Sequence, residues 1–193
     1  SLTKWNLVKI EKLIDSFCKD IYSACQPLYE FEEDSEFRIL ERCHFDQKDG
    51  ELVPTQYWYK NIINGKLTGR KKAVSSQTFS SHYQGLQTNN IKNIDNAALI
   101  PNSRIAIGNS ATVFSYFCNR NLIAIDRIIG ILRTYKGNPG YEILEILVSS
   151  AINLIKLSDK KASSQMPYWL PKKDVTSRNA VMVIEQKAKA VKE

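Results

Sequence analysis

The chain has 193 residues, 43% of them hydrophobic and 24% charged, with only 8 glycines and 6 prolines. That balance supports a packed core without metals or disulfides and excludes a mainly disordered or collagen-like chain. The formal net charge of +7 points toward an acidic partner and says little about the fold.

Residues 3–25 carry apolar side chains at Ile10, Leu13, Ile14, Phe17, Ile21 and Ala24, a 3.6-residue stripe that predicts an amphipathic helix. Thr3 is placed to cap it and Pro27 to end it. From residue 36 the period changes to two. Phe37, Ile39, Glu41 and Cys43 alternate with Arg38, Leu40, Arg42 and His44, and Asp49-Gly50 has the chemistry of a hairpin turn. Glu51–Ile63 is rich in β-branched and aromatic residues, with Pro54 near its start, where an edge or strand end tolerates proline. Asn64-Gly65 is a second hairpin signal, and Leu67–Phe79 reads as a third strand weakened by its serines.

The stretch 80–103 is polar, with a short element expected near Ala97–Ile100. Arg104–Gly108 reads as a strand, and Ser110–Phe117 fits strand or helix. Residues 121–135 and 140–157 carry two apolar helical faces, Leu122/Ile125/Ile128/Ile129/Leu132 and Ile143/Leu144/Leu147/Val148/Ala151/Ile155. Gly137-Asn138-Pro139-Gly140 separates them, which predicts an antiparallel helical hairpin. A loop over 158–173 and a final helix over 177–192, with Ser177 as its cap, complete the chain. The expected architecture is α+β in a single domain, 1–193. An N-terminal helix and a small antiparallel β-meander occupy 1–79, a polar loop 80–103, and a mainly helical part 104–193.

Charge is unevenly spread. Residues 28–51 hold nine acidic side chains against three basic ones, residues 52–96 six basic against one acidic, and residues 97–193 fourteen basic against seven acidic. The densest conjunction of aromatics and cations is Tyr57-Trp58-Tyr59-Lys60, followed by Lys66, Arg70, Lys71 and Lys72 beyond the Asn-Gly turn. On a strand Tyr57 and Tyr59 share one face and Trp58 takes the other. Trp58 is the residue expected in the core. Tyr57 and Tyr59 then become candidates for stacking or anchoring a partner, beside Lys60, Lys66, Arg70, Lys71 and Lys72 as phosphate contacts. Tyr168 and Trp169, next to Lys172 and Lys173, repeat the theme in a proline-bounded loop.

Catalytic signatures are sparse. Cys18, Cys25, Cys43 and Cys118 form no C-x-x-C pair, and no histidine stands at zinc-finger spacing from two of them. Four free thiols, no metal and no cofactor are expected. Cys43 and His44 are adjacent on a strand, point to opposite faces and cannot form a dyad with each other. The Glu30–Glu36 run lacks the Asp…Glu-x-Lys spacing of a metal-dependent nuclease, and no glycine-rich turn is followed by the Lys-Ser/Thr of a phosphate loop. The leading expectation is a non-catalytic nucleic-acid-binding protein, with DNA and RNA both open, serving as a subunit of a larger nucleoprotein assembly. The alternatives are a protein–protein adaptor or structural subunit, and an enzyme of the nuclease or thiol class. No membrane association is expected, because no apolar run reaches the ~18 residues of a span. A cytoplasmic or, in a eukaryote, nuclear location follows from the thiols and from the lack of a basic-then-apolar leader in the sequence.

Overall fold

The computed structural model describes residues 4–48, 51–84, 86–99, 111–159 and 174–193. Helix α1 spans Lys4–Cys25 and buries Ile14, Phe17 and Ile21 of the stripe read from the sequence, together with Cys25, while Ile10, Leu13 and Ala24 of the stripe are half-buried. Pro27 lies in the first turn of a short 3-10 segment, Gln26–Tyr29, which redirects the chain into the sheet.

The acidic stretch is structured from its start. Strand β1 (Glu30–Glu33) pairs antiparallel with β2 (Glu36–Lys48). They are joined through Asp34 and Ser35, both at positive φ (54° and 59°) without a glycine. β3 (Glu51–Ile63) pairs along nearly the whole of β2, with Pro54 near its start. The Asn64-Gly65 turn has positive φ at both residues (50° and 72°), the geometry that matches strand twist in a tight hairpin. Short strands β4 (Lys66–Leu67) and β5 (Lys71–Val74) then return along β3.

Two expectations need correction here. The third strand does not continue to Phe79, because Gln77–Gln84 forms a helix, α2. Its serines are poor helix formers, but Phe79 and Tyr83 are buried against Phe31, Tyr57 and Phe45 of the sheet, and that packing overrides local propensity. The polar stretch 80–103 therefore begins inside a helix. Further on, Lys92 and Asn93 donate their backbone N–H groups to the Asp126 carboxylate. Ala98 makes an isolated bridge to Thr112, and Val113–Tyr116 is a 3-10 turn. Arg104–Gly108 lies outside the described residues.

Helices α3 (Asn119–Thr134) and α4 (Tyr141–Ile155) form the expected hairpin. Gly140 ends the connection at φ 91°, and a Cβ there would lie 3.3 Å from Leu13 Cδ2 of α1. The chain then adds β6 (Ser158–Asp159) and β7 (Val175–Arg178), and closes with α5 (Ala180–Lys192). The final helix thus starts three residues later than expected. Ser177 is a strand residue, and Asn179 is the cap, accepting from the N–H groups of Val181 and Met182 at 2.9 and 3.3 Å.

All pairings in the sheet are antiparallel, in the order β4-β3-β2-β7-β6, with β1 also on β2 and β5 also on β3. Strand β7 comes from the far end of the chain and places the C-terminal part beside β2. One face of the sheet presents Leu40, Cys43, Phe45, Tyr57 and Tyr59 to a buried cluster shared with all five helices. The class is α+β, with the N-terminal helix, the antiparallel meander and the helical C-terminal half. No helix among the described residues is long and apolar enough to cross a membrane.

Candidate nucleic-acid interface

Strand parity decides which aromatics are available. Tyr57 and Tyr59 are 1% and 7% exposed, on the inner face of the sheet. Tyr57 stacks on Phe79 at 4.0 Å between ring centroids, and its hydroxyl donates to Glu33. Arg38 lies over the Tyr59 ring at 4.5 Å. Neither tyrosine presents a free ring, so the expectation that this pair stacks on a ligand is corrected. Trp58 is reversed as well. It is half-buried on the outer face, with its ring 4.3 Å from that of His44. Two buried tyrosines outweigh one buried tryptophan in apolar area, and a strand cannot bury both faces of a three-aromatic run against one helical layer.

The register builds a row across four strands on that outer face. Arg178 of β7 faces Arg42 of β2, Arg42 faces Trp58 of β3, and Trp58 faces Lys72 of β5. The Lys72 ammonium sits 5.2 Å from the Trp58 ring centroid and the Arg42 guanidinium 5.9 Å. Beside this row a bulge between Leu40 and Arg42 sets Glu41 toward the cations. Glu41 accepts from Lys60 at 2.9 Å and from Arg70. Burial pushes its carboxyl upward, but the hydrogen bonds and charges of Lys60 and Arg70 outweigh that and hold it below its ordinary value. The Arg42 guanidinium is pulled below its ordinary value by burial first, then by the positive charges of Arg178 and Arg70. Among the described residues neither Arg42 nor Arg178 forms an ion pair, and Arg178 Nε has no hydrogen-bond partner.

A concavity of about 210 Å³ opens between this row and the first turns of α5, lined by Arg42, Trp58, Arg70, Arg178, Met182 and Gln186 among others. Its frame is fixed by buried asparagines. Asn179 donates from Nδ2 to the Leu40 carbonyl at 2.8 Å, and its N–H to the Glu41 carbonyl at 2.8 Å. Asn121 of α3 donates to the carbonyls of Ile155 and Arg178 at 2.8 and 3.0 Å. Arg178 is thereby held on a rigid backbone shared by sheet and helices. A larger cavity of about 760 Å³, bordered by Tyr83, Phe114, Phe117 and Leu157, has no basic side chain among its described lining residues.

The cations named from the sequence disperse. Arg70-Lys71-Lys72 reads as one basic tip, but alternation splits it. Lys72 faces Trp58 and Arg70 reaches Glu41, whereas Lys71 pairs with Tyr59 in register, and its charge acts on Glu36. Lys60 and Arg70 are engaged by Glu41, and Lys66 sits beyond the row on β4 at the hairpin end. Tyr168, Trp169, Lys172 and Lys173 lie outside the described residues. Arg42 and Arg178 were not singled out from the sequence. Arg42 had a signal, since it alternates with buried Cys43. Arg178 had none, because its neighbours become strand partners only through long-range pairing.

The acidic stretch is largely consumed inside the protein. Glu33, Asp34 and Glu36 converge on Arg38, and Glu41 on Lys60 and Arg70. The thiols are all unbridged. Burial pushes Cys18 to about 11, Cys25 to about 12 and Cys43 well above its ordinary value, which disfavours the reactive thiolate at each. Among the described residues no group of three His, Cys, Asp or Glu side chains is placed to hold a metal.

No protein-family model, no curated protein and no solved structure matches this chain.

Proposed function

We propose that the protein binds nucleic acid without acting on it chemically, as one subunit of a nucleoprotein assembly that includes other protein chains. The row Arg178–Arg42–Trp58–Lys72 carries this reading. Three cations flank one half-exposed aromatic ring on a sheet face, and none of the three forms an ion pair among the described residues, although Glu41 acts on Arg42 by charge. Like charges placed directly opposite on paired strands destabilise a sheet unless something neutralises them. A polyanion does that, and the ring supplies a surface on which a base can lie.

The test is equilibrium binding of mixed-sequence DNA and RNA oligonucleotides over a range of salt. The expected result is a linear fall of log affinity with log salt, with a slope of about −0.7 per phosphate contact on single strands. No binding at low salt ends the reading and leaves the protein–protein adaptor, whose positive charge serves solubility alone.

A further inference from the structure

The concavity beside α5 resolves the kind of nucleic acid involved, provided the reading above holds. We infer that it seats one unpaired nucleotide, with the base on Trp58 and a phosphate between Arg42 and Arg178, so that the ligand is a single strand.

Three observations lead there. The first is shape. In a duplex the base faces are stacked on one another, so the Trp58 ring reaches a base face only in an unpaired strand. A concavity of about 210 Å³ offers room for a protruding group and not for the convex side of a double helix.

The second is the disposition of charge. Arg42 and Arg178 stand opposite each other on paired strands, without an ion pair among the described residues, and Arg178 Nε is unpartnered. Two guanidinium groups converging from adjacent strands suit the tetrahedral oxygens of a phosphate, which each planar fork meets with paired N–H donors. Glu41 engages Lys60 and Arg70 and lines the same concavity, where its charge also acts on Arg42. Its negative charge repels a phosphate close to it, and Arg178, which forms no ion pair with it, draws the phosphate to the Arg178 end of the concavity.

The third is the ring itself. Lys72, the cation nearest the Trp58 centroid, is exposed and flexible, so its arm moves aside when a base arrives and its ammonium remains for the next phosphate. Met182 adds an apolar, adaptable edge from α5.

The test compares one mixed-sequence oligonucleotide of ~12 nucleotides as a single strand and as a duplex, with wild type and two variants. Wild type is expected to favour the single strand by about tenfold or more at matched salt, the equivalent of one stacked base. Trp58→Ala should lower single-strand affinity by about 5- to 150-fold and leave duplex affinity nearly unchanged. Should Trp58→Ala fail to fold, Trp58→Leu keeps the contact with His44 while removing the extended ring, and is expected to show the same selective loss. Arg42→Gln with Arg178→Gln should flatten the single-strand salt slope by ~0.7, the loss of one phosphate contact.

Equal binding of strand and duplex, with the Trp58 variants neutral, overturns the nucleotide seat and leaves nucleic-acid binding standing. An unchanged salt slope in the double arginine variant overturns the phosphate position. A phosphotyrosine peptide bound more tightly than the oligonucleotide assigns the site to a protein ligand and overturns the inference. Failure of both nucleic acids to bind at low salt removes this inference and the reading beneath it together.

Discussion

Arg120 is the largest side chain that the core buries completely, at 1% exposure. None of its three guanidinium nitrogens has a hydrogen-bond partner among the described residues, and its company is aromatic, with Tyr83 at 4.8 Å and Tyr29 at 5.9 Å. It also lies in the first turn of α3, where the helix dipole disfavours a cation. A desolvated charge with only π faces for partners costs several kcal/mol more than an apolar chain of the same length. Arg120→Met is therefore expected to leave stability unchanged or raise it by ~1–3 kcal/mol in urea titration. A loss above ~1 kcal/mol would mean that the two tyrosines compensate the charge in full. This is the one place in the described core where residue type and environment conflict so sharply, and local reading gave no warning of it. Arg120 begins a helix, and on an isolated helix it would face water.

At the scale of elements, the clearest features are those whose apolar period holds over three turns or more. The α3–α4 hairpin and α1 appear close to where their stripes place them, because each stripe buries the residues that define it. Leu147 is fully buried at the centre of α4. Leu147→Ala should cost ~2–5 kcal/mol by transfer loss and cavity formation. A cost below ~1 kcal/mol in the same titration would show that this face closes against little. Short elements behave differently. The serine-rich α2 exists because Phe79 and Tyr83 find Phe31, Tyr57 and Phe45. Strand β7 exists because β2 offers an unpaired edge to Val175–Arg178. Four residues carry too little period to announce a strand, and Ser177 looks like a helix cap as readily as a strand residue. The true cap, Asn179, earns its place by also holding Leu40 and Glu41.

Over the whole molecule, the acids of 28–51 are balanced in part by Arg38 of the same stretch and in part by Lys60 and Arg70 beyond it, and Glu41 makes the ion pairs to those two. Its carboxyl is held below the ordinary value of 4.5. The stability it contributes is therefore complete above pH 4.5 and is lost as pH falls through its folded value. Arg70 is largely exposed, so the pair is screened and Glu41→Gln is expected to cost only ~1 kcal/mol at neutral pH. Thermal melts of wild type and variant should converge as the pH drops below 4.5; a gap that persists into stronger acid would assign the loss to packing. The same variant frees Lys60 and Arg70. On the proposed function it should steepen the single-strand salt slope by up to ~1.4 and tighten binding at low salt. Weaker binding would show that Glu41 positions those cations and does not compete for them.

The sequence by itself determined the α+β class, the Asn64-Gly65 hairpin turn, the long helices, and the excess of positive charge. Each of these is written in a local period, a turn chemistry or a count. Only the tertiary structure decided which face of the Tyr57-Trp58-Tyr59 strand is buried, which cations remain unpaired, and that Arg42 and Arg178 meet. Parity says that Trp58 opposes its two neighbours, but the side that faces water depends on where α2 and the helical layer pack. An ion pair such as Glu41–Arg70 joins a residue of β2 to one in the connection before β5, and Arg178 reaches the site on a strand from the other end of the chain. Those distances are set by the fold as a whole, and no window along the sequence contains them.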